Sequence, residues 1–262
     1  MTNFNISNSN ILWFVAGLIA VFVLSNPAFA QEDKCPEYAV YHTTTPQRPA
    51  TSDKYLFSEE LKALEPKDAD VILLGDSLTQ SWKSKDLQKK LPGLKVLNFG
   101  VGADRTQQVI WRLNQMNLKD YDPKFVVLWI GTNNLRTDPG CAISEGIVEI
   151  LNILRDNWQD SKVIVIETPP RGMDFSAYMP QRLEMYDAAK EKYADQDVVF
   201  INVDDALTCG GMRAFSDEYR EQRKIYRKVA SPCPTYKNDL LHLTKDAYVI
   251  MSDILADIVL DK

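Results

Sequence analysis

Val71-Ile72-Leu73-Leu74-Gly75-Asp76-Ser77-Leu78-Thr79 is the stretch on which the reading of this chain turns. Four consecutive branched apolar residues read as a buried strand. The strand stops at a glycine, and a short polar turn then presents one hydroxyl, that of Ser77. A rigid strand fixes such a serine, and Gly75 lets backbone and substrate approach closely, as nucleophilic catalysis requires. The same letters also describe a plain strand-to-helix turn with Asp76 or Ser77 as helix cap. The rest of the chain decides between them.

Apolar runs recur from Val71 onward. Leu94–Phe99 ends at Gly100, Phe125–Ile130 at Gly131, Val163–Ile166 at Glu167-Thr168-Pro169-Pro170, and Val198–Val203 at Asp204-Asp205. Helical patterns lie between and after them, over Thr106–Asn117, Ile143–Trp158, Gln181–Ala194 and Thr244–Leu260, with a short helix expected over 54–65. Strands alternating with helices imply a three-layer α/β/α sandwich around a parallel sheet. Five strands point to the flavodoxin-like order 2-1-3-4-5, whose ligands bind beyond the carboxyl ends of the strands. Ser77, Gly100-Val101-Gly102 and Gly131-Thr132-Asn133-Asn134 all stand at those ends.

A serine hydroxyl is a weak nucleophile at neutral pH and needs a base. The chain has only two histidines, His42 and His242. His42 falls in a Thr/Pro-rich stretch read as a solvated tail. His242 stands in Asp239-Leu240-Leu241-His242, and an Asp three residues before a His on a turn can reach the imidazole Nδ1–H and fix its tautomer. Acyl transfer further needs donors for an oxyanion. An Asn amide of the 131–134 turn and backbone N–H groups of Asn98–Asp104 are the candidates. The second of these loops is no dinucleotide fingerprint, because Arg105 occupies the place of the final glycine.

These residues resemble the four blocks of the SGNH hydrolases, the GDSL esterase/lipase superfamily, in order over roughly 66–262. The resemblance implies that Ser77, His242 and Asp239 form a triad, and that Ser77 N–H, Ala103 N–H and the Asn133 amide hold the oxyanion, with no metal or cofactor. A closer resemblance is to the catalytic subunits of platelet-activating-factor acetylhydrolase. It rests on Leu97–Asp104, Val109-Ile110-Trp111-Arg112-Leu113, Val127–Asn134 and Pro170-Arg171-Gly172. There is one departure: Ala103 stands where that family usually has a glycine, and its methyl narrows the site or demands a different φ. Hydrolysis of short-chain, acetyl esters of a glycan, lipid or small molecule is the activity implied. A non-catalytic glycan- or partner-binding domain on the same fold is the alternative.

Composition bounds the remaining classes. The chain has 262 residues, 45% hydrophobic and 25% charged, with net charge -6, and lacks a basic block that would suit nucleic acid. Ile11–Leu24 is an uncharged apolar run, short for a membrane span, followed by Ala28-Phe29-Ala30. We read residues 1–30 as a secretory signal peptide, 31–65 as an N-terminal arm and 66–262 as the catalytic domain, exported and with no stable membrane insertion after cleavage. The departure from a signal peptide is the absence of Lys or Arg before the apolar run, which leaves an uncleaved anchor open. Oligomeric state is left open too. All four cysteines lie after the leader, in keeping with disulfides in an exported chain. Cys209–Cys233 is the expected pair because it would close the 204–239 stretch and hold the chain entering the Asp239–His242 turn. Cys35–Cys141 is the second pair, and Cys141–Cys209 the rival pairing.

Overall fold

The computed structural model describes residues 34–63, 68–194, 198–209 and 233–261. The expected signal peptide, and Asp217–Val229, whose sequence also reads as helical, lie outside the described residues. Five parallel strands form one sheet in the order β2-β1-β3-β4-β5: β1 Val71–Gly75, β2 Val96–Gly100, β3 Phe125–Trp129, β4 Lys162–Ile166 and β5 Val198–Ile201. The anticipated topology is therefore the one observed. Gly75 pairs with Gly100 on one side and Trp129 on the other, so the three strands end level. Their following loops share one edge of the sheet.

The two-residue period of β1 divides its apolar run between two cores. Ile72 and Leu74 face a cluster with Val126, Leu128, Ile110 and Ile147. Val71 and Leu73 face another with Val127, Trp129, Leu78 and Met251. Every residue of β1 is buried, and each such aliphatic side chain contributes roughly 1.5–3 kcal/mol. Helices α5 (Thr106–Gln115) and α6 (Gly140–Asn157) supply residues to the first core, and α3 (Ser77–Ser81), α4 (Ser84–Gln88) and α10 (Lys245–Val259) to the second.

Two expectations need correction. The N-terminal segment is not a solvated tail where it is described. It forms α1 (Glu37–Thr44) and α2 (Ser52–Lys62). Thr43, fully buried, donates to Ala142 O at 2.5 Å, and its own carbonyl accepts from Thr106 Oγ1 at 2.9 Å. A Cys35–Cys141 disulfide ties α1 to the first turn of α6. The helix expected over Gln181–Ala194 is two, α7 (Met179–Glu184) and α8 (Asp187–Lys192). The break lets Met185 and Tyr186 turn inward, where the Tyr186 hydroxyl accepts from Thr168 N at 2.7 Å. Helix α9 spans Asp204–Leu207, and Cys209 just beyond it is bonded to Cys233. Both anticipated disulfides are present.

Candidate active site

β1 ends where no side chain fits. A Cβ on Gly75 would stand 2.0 Å from Trp129 O and 2.2 Å from Thr79 Oγ1. Only glycine permits so close an approach, and the approach aims the chain out of the sheet into α3. Asp76 is the N-cap of α3, with its carboxylate accepting from Leu78 N at 2.9 Å. Ser77 is the first residue of the helix and only half-buried. The helix-cap reading and the nucleophile reading thus describe one turn: Asp76 caps, and Ser77 is presented.

The chain returns to Ser77 through a tight hairpin. Tyr236 bridges Leu243 antiparallel, Lys237 N donates to His242 O at 2.8 Å, and Leu240 takes φ +55° at the bend. Gly172 N donates to Leu240 O at 3.0 Å and pins the bend from outside. Asp239 then acts locally, as Asp does in turns. Its Oδ1 accepts from Leu241 N at 3.0 Å and His242 N at 2.8 Å, while Oδ2 lies 2.7 Å from His242 Nδ1. His242 Nε2 lies 3.0 Å from Ser77 Oγ. An ionised carboxylate only accepts, so Nδ1 carries the proton and Nε2 is left to accept from the serine hydroxyl. Partial burial pushes the Asp239 carboxyl up, but hydrogen bonds from the His242 ring and from the His242 and Leu241 amides outweigh it and hold it below the usual carboxylate range.

The second and third strands bring the other loops to the same edge. Ala103 adopts φ +67°, the left-handed conformation that its glycine-like position demands, and it is exposed. Asp104 beside it is buried and paired with Arg112 Nε at 2.8 Å, and Arg112 also donates to Phe99 O at 2.9 Å. Asn133 Nδ2 donates to Asp104 O at 2.8 Å and lies 3.5 Å from Asp76 Oδ2. Its neighbour Asn134 points the other way into full burial. The Asn134 amide donates to Asp138 Oδ2 at 3.0 Å and Gln107 Oε1 at 3.2 Å, and its carbonyl accepts from Thr106 N at 3.0 Å. Arg171, nearly buried, donates to Thr132 O and Oγ1, both at 3.0 Å.

Burial pushes Asp76 up to about 7, opposed by its Leu78 hydrogen bond, then reinforced by the Asp104 charge and relieved by Arg171. Burial also raises Asp104, to about 6, against the pull of Arg112. Desolvation lowers Arg171 from its usual range. The site therefore has an exposed, ionised carboxylate on the histidine side and two buried carboxyls beneath the serine. Among the described residues no group of three His, Cys, Asp or Glu could hold a metal ion, and no helix is long and apolar enough to cross a membrane.

The model of the GDSL-like lipase/acylhydrolase family matches residues 73–250, which takes in the serine turn, the loops of Ala103 and Asn133 and the histidine hairpin. The chain belongs to this family. GDSL-like hydrolases act on carboxylic esters through a serine, and this chain is one of them. Platelet-activating factor acetylhydrolase IB subunit alpha2 from Homo sapiens is 32% identical over 158 residues, which cover 57% of this chain and 69% of that protein. Subunit alpha1 from Pongo abelii is 36% identical over 107 residues, 40% of this chain and 46% of that protein. In fold, the chain is similar to a GDSL-like lipase from Bacteroides thetaiotaomicron, at TM-score 0.58 and 17% identity over 80% of this chain and 98% of that one. It is also similar to the lipase/acylhydrolase from Enterococcus faecalis, at TM-score 0.54 and 18% identity over 73% and 95%.

In this GDSL-like hydrolase the sequence-derived candidates Ser77, His242 and Asp239 form one hydrogen-bonded line, and the loops of Ala103 and Asn133 meet at Asp104. Sequence reasoning missed the supports behind them. Asp104–Arg112, Arg171 and Asn134 carry no role in the reading of motifs alone. The available signal was polarity out of place: Arg112 sits among apolar residues on α5 and is buried, as an unpaired arginine would not be.

Proposed function

We propose that this chain is an exported esterase that removes short acyl groups, acetyl first among them, from a small ester or an acetylated glycan. Ser77 Oγ attacks the ester carbonyl, and His242 Nε2 takes its proton and returns it to the leaving alkoxide. Asp239 fixes the tautomer and stabilises the imidazolium. The oxyanion is held by Ser77 N–H, Ala103 N–H and Asn133 Nδ2. The Asn133 amide has two N–H bonds: one is spent on Asp104 O at 2.8 Å, and the contact to Asp76 Oδ2 at 3.5 Å is long enough for the other to turn to developing charge.

The observation that carries this reading is the line from Ser77 Oγ to His242 Nε2 at 3.0 Å and from His242 Nδ1 to Asp239 Oδ2 at 2.7 Å. Export is supported by the apolar leader ending in Ala28-Phe29-Ala30 and by two disulfides, with the catalytic domain taken as 66–262 after a leader over 1–30 and an arm over 31–65. A short acyl group is favoured by relatives named as acetylhydrolases and by the Ala103 methyl. The test is a series of acyl chain lengths on one chromogenic alcohol, run beside acetylated oligosaccharides. Acetyl is expected to lead the series, and Ser77→Ala is expected to lose at least about a thousandfold in rate. A well-folded Ser77→Ala protein within about tenfold of wild type removes Ser77 as nucleophile, and a wild-type protein that turns over no ester in the series leaves the binding-domain reading.

A further inference from the structure

A cavity of about 590 Å³ opens between α3–α4 and the first half of α10, within the size range of ligand sites. Its rim carries Lys83, Lys89, Lys90, Lys237 and Lys245, with Asp86 the one acidic residue lining it. The chain as a whole has net charge -6, so five lysines around one hollow run against its average. Lys89 pairs with Asp86 at 3.1 Å and Lys90 with Asp253 at 2.5 Å. Lys83, Lys237 and Lys245 close no ion pair among the described residues. Like charges around a hollow repel one another, the Asp86 charge offsets part of this at Lys89 and Lys245, and an anion seated between the lysines removes more. The cavity's apolar lining is the buried Leu243 and Tyr248 ring, with the exposed Val249 beside them. Such a lining suits the carbon body of a ligand beneath its charged group.

The residues lining the cavity include none of the proposed triad, but several come from the two elements that carry it, α3 and the Asp239–His242 hairpin. Ser81 lines the cavity and stands four residues beyond Ser77 in α3, roughly 6 Å along the axis. Leu243 lines it and directly follows His242, about 3.8 Å away between Cα atoms. Lys237 and Lys245 stand on either side of the hairpin that carries Asp239 and His242. The Tyr248 hydroxyl donates to Leu78 O at 2.7 Å, next to the nucleophile's own residue. A group bound among the lysines thus sits against the same helix and hairpin that present Ser77 and His242.

We infer that this lysine-ringed cavity binds an anionic oxygen group of the substrate, a carboxylate or a phosphate on the same molecule as the scissile ester. The inference deepens the esterase reading and rests on it for the word substrate. Binding of the anion itself does not depend on catalysis. Recognition by exposed ammonium groups is a Coulombic effect, so it appears mainly in KM and weakens with salt.

Three acetyl esters with matched alcohols, one neutral, one carboxylated and one phosphorylated, test this on the full chain. At least one anionic ester is expected to show roughly tenfold lower KM than the neutral one at low salt, with the advantage shrinking toward 1 M salt. The two anionic arms tell carboxylate from phosphate. A Lys83→Gln/Lys237→Gln/Lys245→Gln variant is expected to lose that advantage while its kcat on the neutral ester stays within about twofold. Arginine at the same three positions is expected to restore the advantage. In parallel, the deacetylated anionic alcohols are titrated calorimetrically into Ser77→Ala protein with and without the three substitutions. Equal KM for all three esters, or an advantage that survives in the triple variant, overturns the inference. No ester turned over, but lysine-dependent binding of the anions, overturns the esterase reading and upholds the cavity. Turnover of all esters with no anion binding does the reverse.

Discussion

The neighbours Asn133 and Asn134 differ by one letter of position and are expected to fail in opposite ways. Asn133 is half-buried and makes one strong hydrogen bond, from Nδ2 to Asp104 O at 2.8 Å. Its Ala variant is expected to lose about 1 kcal/mol of stability, since the carbonyl it leaves lies beside the site where water can replace it. In the proposed mechanism it also removes one oxyanion donor, worth about 3–4 kcal/mol of transition-state stabilisation, so kcat is expected to fall roughly 10²–10³-fold with KM little changed. Asn134 is fully buried and serves Asp138, Gln107, Thr106 N and Thr106 Oγ1. Asn134→Ala leaves those groups without a partner in a place water reaches poorly, at about 3 kcal/mol or more. For a domain of this size that is a fall in Tm of roughly 6–12 °C. Steady-state kinetics and thermal melts on both variants read the two effects separately. The reasoning is refuted if Asn134→Ala melts with wild-type protein while losing kcat, or if Asn133→Ala keeps kcat within about threefold.

Three other outcomes are expected. Asp76 has a folded-state pKa raised to about 7 by burial, so its contribution to stability is fully present below the ordinary carboxyl range and is lost as pH rises through about 7. Asp76→Asn keeps the cap acceptor for Leu78 N and removes that titration, so it should flatten a loss of up to about 3 kcal/mol between pH 5 and 9 in denaturant titrations; equal pH slopes in the two proteins contradict this. Asp239, whose pKa is lowered, contributes only above its unfolded value, so its share is lost only below the ordinary carboxylate range and leaves this window untouched. Ala103→Gly relieves an alanine at φ +67°, keeps the N–H donor, and should change stability by about 0–1 kcal/mol in the favourable direction with kcat within about threefold; a clear drop in Tm tells against the strain. Serine at both Cys209 and Cys233 should cost about 3–4 kcal/mol and lower kcat by loosening the hairpin; unchanged melting and kcat together contradict the role given to this bridge.

The parallel sheet was legible because each strand is a continuous apolar run that ends at glycine or a polar turn, and burial on both faces requires such runs. The proposed triad was legible for a different reason: two histidines in the chain leave few choices, and the Asp239 spacing is local enough to be read along a turn. The arm was misread because α1 has no apolar stripe. Only Ala39 and Thr43 are buried on it, and its attachment is a disulfide plus polar contacts, neither of which leaves a hydrophobic period. His42 was discounted with the arm, yet its Nδ1 lies 2.7 Å from Asp138 Oδ1. The difference between Asn133 and Asn134 is also invisible in sequence, since it depends on which way a short 3-10 turn at 134–136 rolls.

The two disulfides stand behind the two halves of the site, and they act by different physics. Cys35–Cys141 spans a sequence separation of 106, so by chain entropy alone it restrains the unfolded state by roughly 4–5 kcal/mol. It also holds α1 where His42 meets Asp138 and Thr43 O meets Thr106 Oγ1, and both of those partners bond Asn134. The residue beside the proposed oxyanion amide is thereby fixed by a segment almost a hundred positions away. Cys209–Cys233 spans only 24 and ends six residues before Asp239, in a stretch with little apolar surface to bury. The bridge ties the chain next to the hairpin, and a displacement of about 1 Å between a base and its nucleophile can cost a hundredfold in rate. The long-range bridge therefore matters first to whether the donor side stays folded, and the short one to whether His242 stays within reach of Ser77. Reduction of the protein should accordingly lower kcat at temperatures well below the melting transition, because positioning fails before the sheet does.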